Sequence, residues 1–174
     1  MLGSFPPPRA RWKMDFYYPN FQNDMWRIFG LVFFADKDYF VEAGGKSFKE
    51  ALIRDFLYEK GIAISDTGYQ VARLQGNASD KFLHIVEPVN LVQLLGQMPL
   101  CHTLMTTGEL ATDTLLTLMP EGTEKPKIGV PSHTVFERRA LMLYRLPSSS
   151  RAYPLPLEQK AVAYRQLFAR LGMA

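Results

Sequence analysis

At 174 residues and 19.8 kDa, with 47% apolar and 13% aromatic residues, the chain can bury a core, which excludes a disordered polymer. A net charge of +3 and a sequence pI near 9.0 permit an anionic partner without requiring one. No apolar run nears the ~20 residues of a membrane helix, no charged-then-apolar leader opens the chain, and the single Cys101 excludes an internal disulfide or a cysteine-ligated iron–sulfur cluster, so one cytoplasmic domain over 1–174 is expected.

In chain order, Met1-Leu2 is a stub of strand before G-S-F-P-P-P at 3–8. Three consecutive prolines fix φ and donate nothing to a ladder, so this is a stiff loop. The spacing of Met25, Ile28, Phe29, Val32 and Phe33 predicts a helix over 23–34 with Asn23 as its cap. Ser47-Phe48-Lys49-Glu50 reads as a capping box opening a second helix, which Gly61 ends. I-A-I-S-D at 62–66 reads as a strand and G-N-A-S-D at 76–80 as a polar loop. Asn90 to Gln97 is a short helix, Leu100 to Thr106 a strand, and 107–119 a helix. A surface turn at 121–127 precedes strands at Thr134 to Phe136 and Ala140 to Leu146, and Pro156 to Leu171 is the last helix, with proline in its first turn.

Alternating strands and helices imply an α/β fold with three layers, α/β/α, around a short central parallel sheet. Ligands of such sheets sit at the carboxyl ends of the strands. The opening G-S-F-P-P-P, the loop after Asp66, T-T-G at 106–108 and L-P-S-S-S-R at 146–151 all fall there.

Two of these stretches carry chemistry. Pro147-Ser148-Ser149-Ser150-Arg151 offers small side chains, free amides and a planar cation that suit a phosphate or a base stack; an ordinary serine-rich turn is the plain alternative. In Y-Y-P-N-F-Q-N-D-M-W at 17–26, aromatics such as Tyr18 can stack a base while asparagines read its edge; a helix start with a cap is the alternative. His84, His102 and His133 have no metal-ligand spacing, so neither a metal nor a cofactor is expected. The basic clusters Arg9-Arg11-Lys13, Arg138-Arg139 and Arg145/Arg151 read by themselves as solvated surface.

The ordered set resembles the uracil-DNA glycosylase superfamily along essentially the whole chain. It is most similar to the branch of hypoxanthine-DNA and mismatch-type uracil glycosylases. G-S-F-P at 3–6 resembles the family's glycine-led first motif, and Y-Y-P-N-F-Q-N-D-M-W the segment whose asparagine precedes a tryptophan. G-I-A-I-S-D at 61–66 and S-D at 79–80 resemble signatures of the hypoxanthine branch. T-T-G-E-L-A at 106–111 resembles the strand that leads into a glycine-led helix, and L-P-S-S-S-R the Pro-Ser loop that wedges into DNA.

The resemblance implies a monomeric DNA glycosylase that flips a deaminated base, uracil or hypoxanthine, from double-stranded or single-stranded DNA and hydrolyses its glycosidic bond. Phe5 stands where other branches carry a catalytic Asp or Asn, so the resemblance gives catalysis to Asn23. Gly3, Ser4, Phe5, Tyr18, Thr107 and Gly108 are then the base pocket. Pro6, Pro7, Pro8, Pro147, Ser148, Ser149 and Ser150 contact DNA, with Arg151 filling the vacated stack. Leu146 replaces the family's histidine, which shifts stabilisation of the leaving base to backbone amides. A non-catalytic damage-binding protein is the main alternative. A small-nucleotide enzyme is disfavoured by the lack of G-x-G-x-x-G and of a P-loop.

Overall fold

The computed structural model describes residues 1–74 and 80–174. Except for Asp80, the loop expected at 76–80 lies outside the described residues. The chain is α/β and divides into two units, residues 1–5 with 64–146, and residues 6–63 with 147–174.

The first unit is built on a five-stranded sheet. Its strands are β1 (Leu2–Gly3), β2 (Ser65–Asp66), β5 (Thr103–Thr107), β6 (Ser132–Phe136) and β7 (Arg139–Leu146), in the order β2-β1-β5-β7-β6. Neighbours are parallel except for β6, which runs antiparallel to β7 and corrects the expectation of a parallel sheet. The reason is the two-residue turn at Glu137-Arg138, both left-handed (φ 47° and 65°), which closes a hairpin between Phe136 and Arg139. The strand expected over 62–66 shrinks to Ser65–Asp66.

A second ladder, β3 (Gly68–Arg73) with β4 (Leu83–Pro88), is an antiparallel pair that the sequence reading did not anticipate. Helices α3 (Leu91–Gly96) and α4 (Glu109–Thr117) cover one sheet face. Leu91, Leu95 and Leu115 pack there with Leu2, Leu104, Phe136, Leu141 and Leu143. Asn90, expected as the first residue of this helix, is instead its cap and accepts the Gln93 N–H. At the other end the Arg139 guanidinium donates to the carbonyls of Leu95, Met98 and Cys101, the first two of which also accept the Met98 and Cys101 N–H groups of the turn.

The second unit has three helices, α1 (Met25–Phe34), α2 (Glu50–Glu59) and α5 (Leu157–Arg170). Helix α1 is apolar on nearly every side and is correspondingly buried from Met25 to Gly30. Its Trp26 and Phe29 meet Phe40, Phe56, Tyr164 and Phe168 in mostly edge-to-face pairs, an arrangement worth about 0.5–1.5 kcal/mol per pair beyond area burial. Gly30 is required here, because a Cβ would lie 2.2 Å from the Asp36 carbonyl oxygen, where the chain folds back over α1. The capping box at Ser47 does not form. Ser47 Oγ donates to the Lys13 carbonyl, and Glu50 receives the Asp15 N–H and pairs with Arg54, so both side chains bind a neighbouring loop instead.

Candidate functional site

In the second unit, the stretch before α1 and the loop before α5 lie side by side. Asn23 and Ser150 form an antiparallel bridge, and the Asp24 N–H donates to the Ser149 carbonyl at 2.9 Å. The residues are 127 positions apart in sequence, and they are the two motifs the sequence reading singled out.

Asp24, which that reading passed over, fixes this junction. One carboxylate oxygen accepts Arg151 Nε at 2.8 Å and the other accepts Lys160 Nζ at 3.2 Å. Lys160 has only 1% of its side chain accessible and also donates to the Ser150 carbonyl at 2.8 Å. A buried ammonium is tolerated only when so matched. Tyr164, on the same helix, donates to the Pro147 carbonyl at 3.1 Å; burial, with Tyr18 nearby, holds its phenol well above the ordinary value.

Asn23 is half-buried, and its side-chain oxygen accepts the Met25 N–H at 2.9 Å. The N-cap position itself belongs to Asp24, so Asn23 supports the helix from one residue further out than expected. Its NH2 group makes no hydrogen bond among the described residues. Ser149 is buried, so Ser148 and Ser150 carry what the loop can offer to a ligand. Their hydroxyls already accept backbone N–H groups of Ser150 and Ala152.

Tyr18 stands edge-on to Trp26, and its φ of 52° is a left-handed conformation that costs a non-glycine residue about 1 kcal/mol or more. Pro6, Pro7 and Pro8 lead into a 3-10 turn at Arg9–Arg11, and the Pro7 carbonyl accepts Trp12 Nε1 at 2.7 Å. Arg151 is half-exposed, with its Nε committed to Asp24 rather than projecting as an isolated wedge.

In the first unit, the remaining predicted residues gather at the carboxyl ends of adjacent parallel strands. Leu2 stands opposite Thr106 and Gly3 opposite Asp66, so Gly3-Ser4, Asp66 and Thr107-Gly108 share one end of the sheet. The Gly3 carbonyl accepts both the N–H and the hydroxyl of Thr67, and the Ser4 carbonyl accepts the Gly68 N–H. Gly108, at φ 96°, turns β5 into α4 in a conformation few other residues take, and its N–H donates to the Leu146 carbonyl. Phe5 is half-buried at the edge of this group.

Two carboxyls flank the turn, and sequence reading gave neither a role. Ser4 Oγ donates to Asp80 at 2.8 Å. Burial, then the charge of Asp80, pushes the Asp66 carboxyl up to about 7, so it can hold a proton near neutrality. Desolvation raises Asp80 as well, against the pull of Ser4 and Arg73. The signal was present in the S-D pairs at 65–66 and 79–80, but a carboxyl's desolvation is a tertiary property that no local pattern reveals.

Among the described residues, no group of three or more His, Cys, Asp and Glu side chains could hold a metal ion, and no helix is long and apolar enough to cross a membrane. Compared with known proteins, the chain matches no family model, no curated protein and no solved structure.

Proposed function

We propose that the chain is a DNA glycosylase with a three-layer, uracil-DNA-glycosylase-like fold, acting on uracil or hypoxanthine in DNA. One observation carries the reading: the asparagine segment and the Pro-Ser loop, 127 residues apart, pair at Asn23 and Ser150 as a single structural element. A catalytic amide and a DNA-wedging loop need this mutual fixing if base extrusion is to deliver the sugar to the amide.

In this mechanism the nucleotide is flipped at a cost of roughly a few kcal/mol, less for a mispaired base. The Pro-Ser loop and the prolines at 6–8 press on flanking phosphates, and Arg151 props the vacated stack. Asn23 is no base at neutral pH; its amide orients water or holds the extruded base while the glycosidic bond breaks through an oxocarbenium-like sugar. In the first unit, taken by itself, the Asp66 carboxyl raised to about 7 is a group suited to proton transfer near neutrality.

A second reading, damage binding without cleavage, draws on one contact. Asn23 Oδ1 already accepts the Met25 N–H, which leaves one oxygen lone pair and the NH2 group for a substrate.

The deciding experiment incubates the protein with labelled duplexes containing uracil or hypoxanthine, then treats them with alkali. Strand scission at the modified base establishes glycosylase activity. Selective retention of these duplexes without scission establishes the binding reading. Neither scission nor selective retention sinks both.

A further inference from the structure

By sequence Arg9, Arg11 and Lys13 read as one solvated cluster, but the second unit sorts them. Arg9 is committed: it pairs with Asp15 and lies 4.3 Å over the Trp12 ring. Arg11 and Lys13 instead line an open cleft of about 470 Å³ together with Lys46, which arrives from a loop 33 residues further along. The cleft is completed by Ala10, Asn20, Phe21 and Gln22, and no acidic residue lines it. All three cations are exposed, and among the described residues none has a carboxylate within salt-bridge distance.

Like charges converging on a concavity repel one another, and an anion in the cleft relieves that repulsion. The wall of the cleft is held firmly. Arg27 lies 4.3 Å over the Phe21 ring and donates to the Phe21 carbonyl, Phe21 packs on Phe48, and the Gln22 N–H donates to Asn20 Oδ1. Amide side chains from Asn20 and Gln22 add donors among the three positive charges. The same turn runs directly into Asn23, whose N–H donates to the Asn20 carbonyl. The cleft is therefore continuous along the chain with the Asn23–Ser150 junction.

We infer that this cleft, lined by Arg11, Lys13 and Lys46, binds the phosphodiester backbone of a nucleic-acid strand. The inference deepens the reading above by extending the strand's track beyond the Asn23 junction, and it rests on that reading for its choice of nucleic acid as the occupant. A polymer with evenly spaced phosphates engages all three cations and releases their counterions, so the contribution is read in salt dependence.

The test uses an undamaged fluorescein-labelled duplex, with binding followed by anisotropy over a salt series. Two variants of equal net charge are compared: Arg11→Ala/Lys13→Ala/Lys46→Ala in the cleft, and Lys37→Ala/Lys127→Ala/Arg170→Ala elsewhere. The cleft variant should lower the slope of log affinity against log salt by about 2 to 3 and weaken binding by roughly tenfold or more. The distal variant should leave the slope nearly unchanged. Lys46→Ala alone should lower it by about 1, a readout that survives if the triple variant fails to fold.

Equal effects from both triple variants, or no effect from the cleft variant, would overturn the inference. So would loss of binding to phosphatidylserine vesicles with duplex binding intact. Base release is scored separately by alkaline scission. Excision with an unchanged salt slope removes the cleft and leaves the glycosylase, and a cleft-dependent slope without excision does the reverse.

Discussion

Lys160 reaches the Asp24 carboxylate at 3.2 Å from a position 136 residues away, with 1% of its side chain accessible and 8% of the aspartate's. Each group makes the other tolerable, and both also hold the loop before α5: Asp24 through its N–H to Ser149, Lys160 through its ammonium to Ser150. Removing one partner of such a pair leaves a buried charge without compensation. Asp24→Ala should cost about 3–5 kcal/mol in urea unfolding. Lys160→Met should cost less, because Arg151 still answers Asp24. The double variant should be milder than the sum of the singles, and strict additivity would show that the two groups do not couple.

Asn23 combines a helix-start contact with the proposed chemistry, and the two separate experimentally. Asn23→Ala should lose about 1 kcal/mol of stability with the Met25 N–H contact, while single-turnover excision falls by about 100-fold or more. Near-full excision by a folded variant would reduce Asn23 to its structural contact.

The Asp66 carboxyl gives a pH signature whose sign is fixed. Its ordinary value is 3.8 and burial beside Asp80 raises it to about 7, so between these values the folded chain binds more protons than the unfolded one. The stability this confers is fully present below the lower value and is lost as pH rises through about 7. Asp66→Asn should therefore raise stability at mildly alkaline pH by about 1–2 kcal/mol and flatten the decline between pH 4 and 7. Urea midpoints across this range provide the check; an identical decline in the variant would assign the effect to another group.

Glu137 and Arg138 occupy a turn that favours Asn-Gly, since both have positive φ. Replacing them with Asn-Gly should stabilise the chain by about 1 kcal/mol, visible as a higher melting temperature with no change in DNA binding. A lower melting temperature would mean that these side chains hold the hairpin by contacts the replacement removes.

The helices were legible because their apolar spacing is long and periodic. Met25 to Phe34 and Leu157 to Arg170 fall within a few residues of expectation. The strands were harder to read. Leu2–Gly3 and Ser65–Asp66 are two residues each and exist only because they pair with each other and, through Leu2, with β5. The β6–β7 reversal was hidden because Glu-Arg carries no turn signal. The Ser47 box failed because its hydroxyl had a better acceptor in the Lys13 carbonyl, 34 residues away. At the candidate site the sequence pointed to Asn23 and the Pro-Ser loop but not to what joins them. A lysine at position 160 looks like any solvent-facing helix residue until Asp24 is brought beneath it.

The loop that carries Pro147, Ser149 and Ser150 is gripped by its carbonyl oxygens, which receive Tyr164, the Asp24 N–H and Lys160 in turn. An anchorage of that kind is indifferent to which side chains the loop displays. Mutation can then exchange the displayed group at Ser148 while the path of the backbone persists, whereas Arg151, paired with Asp24, belongs to the mount. Drift in this segment should accordingly be fast at the displayed position and slow at the distant lysine, tyrosine and aspartate that hold it.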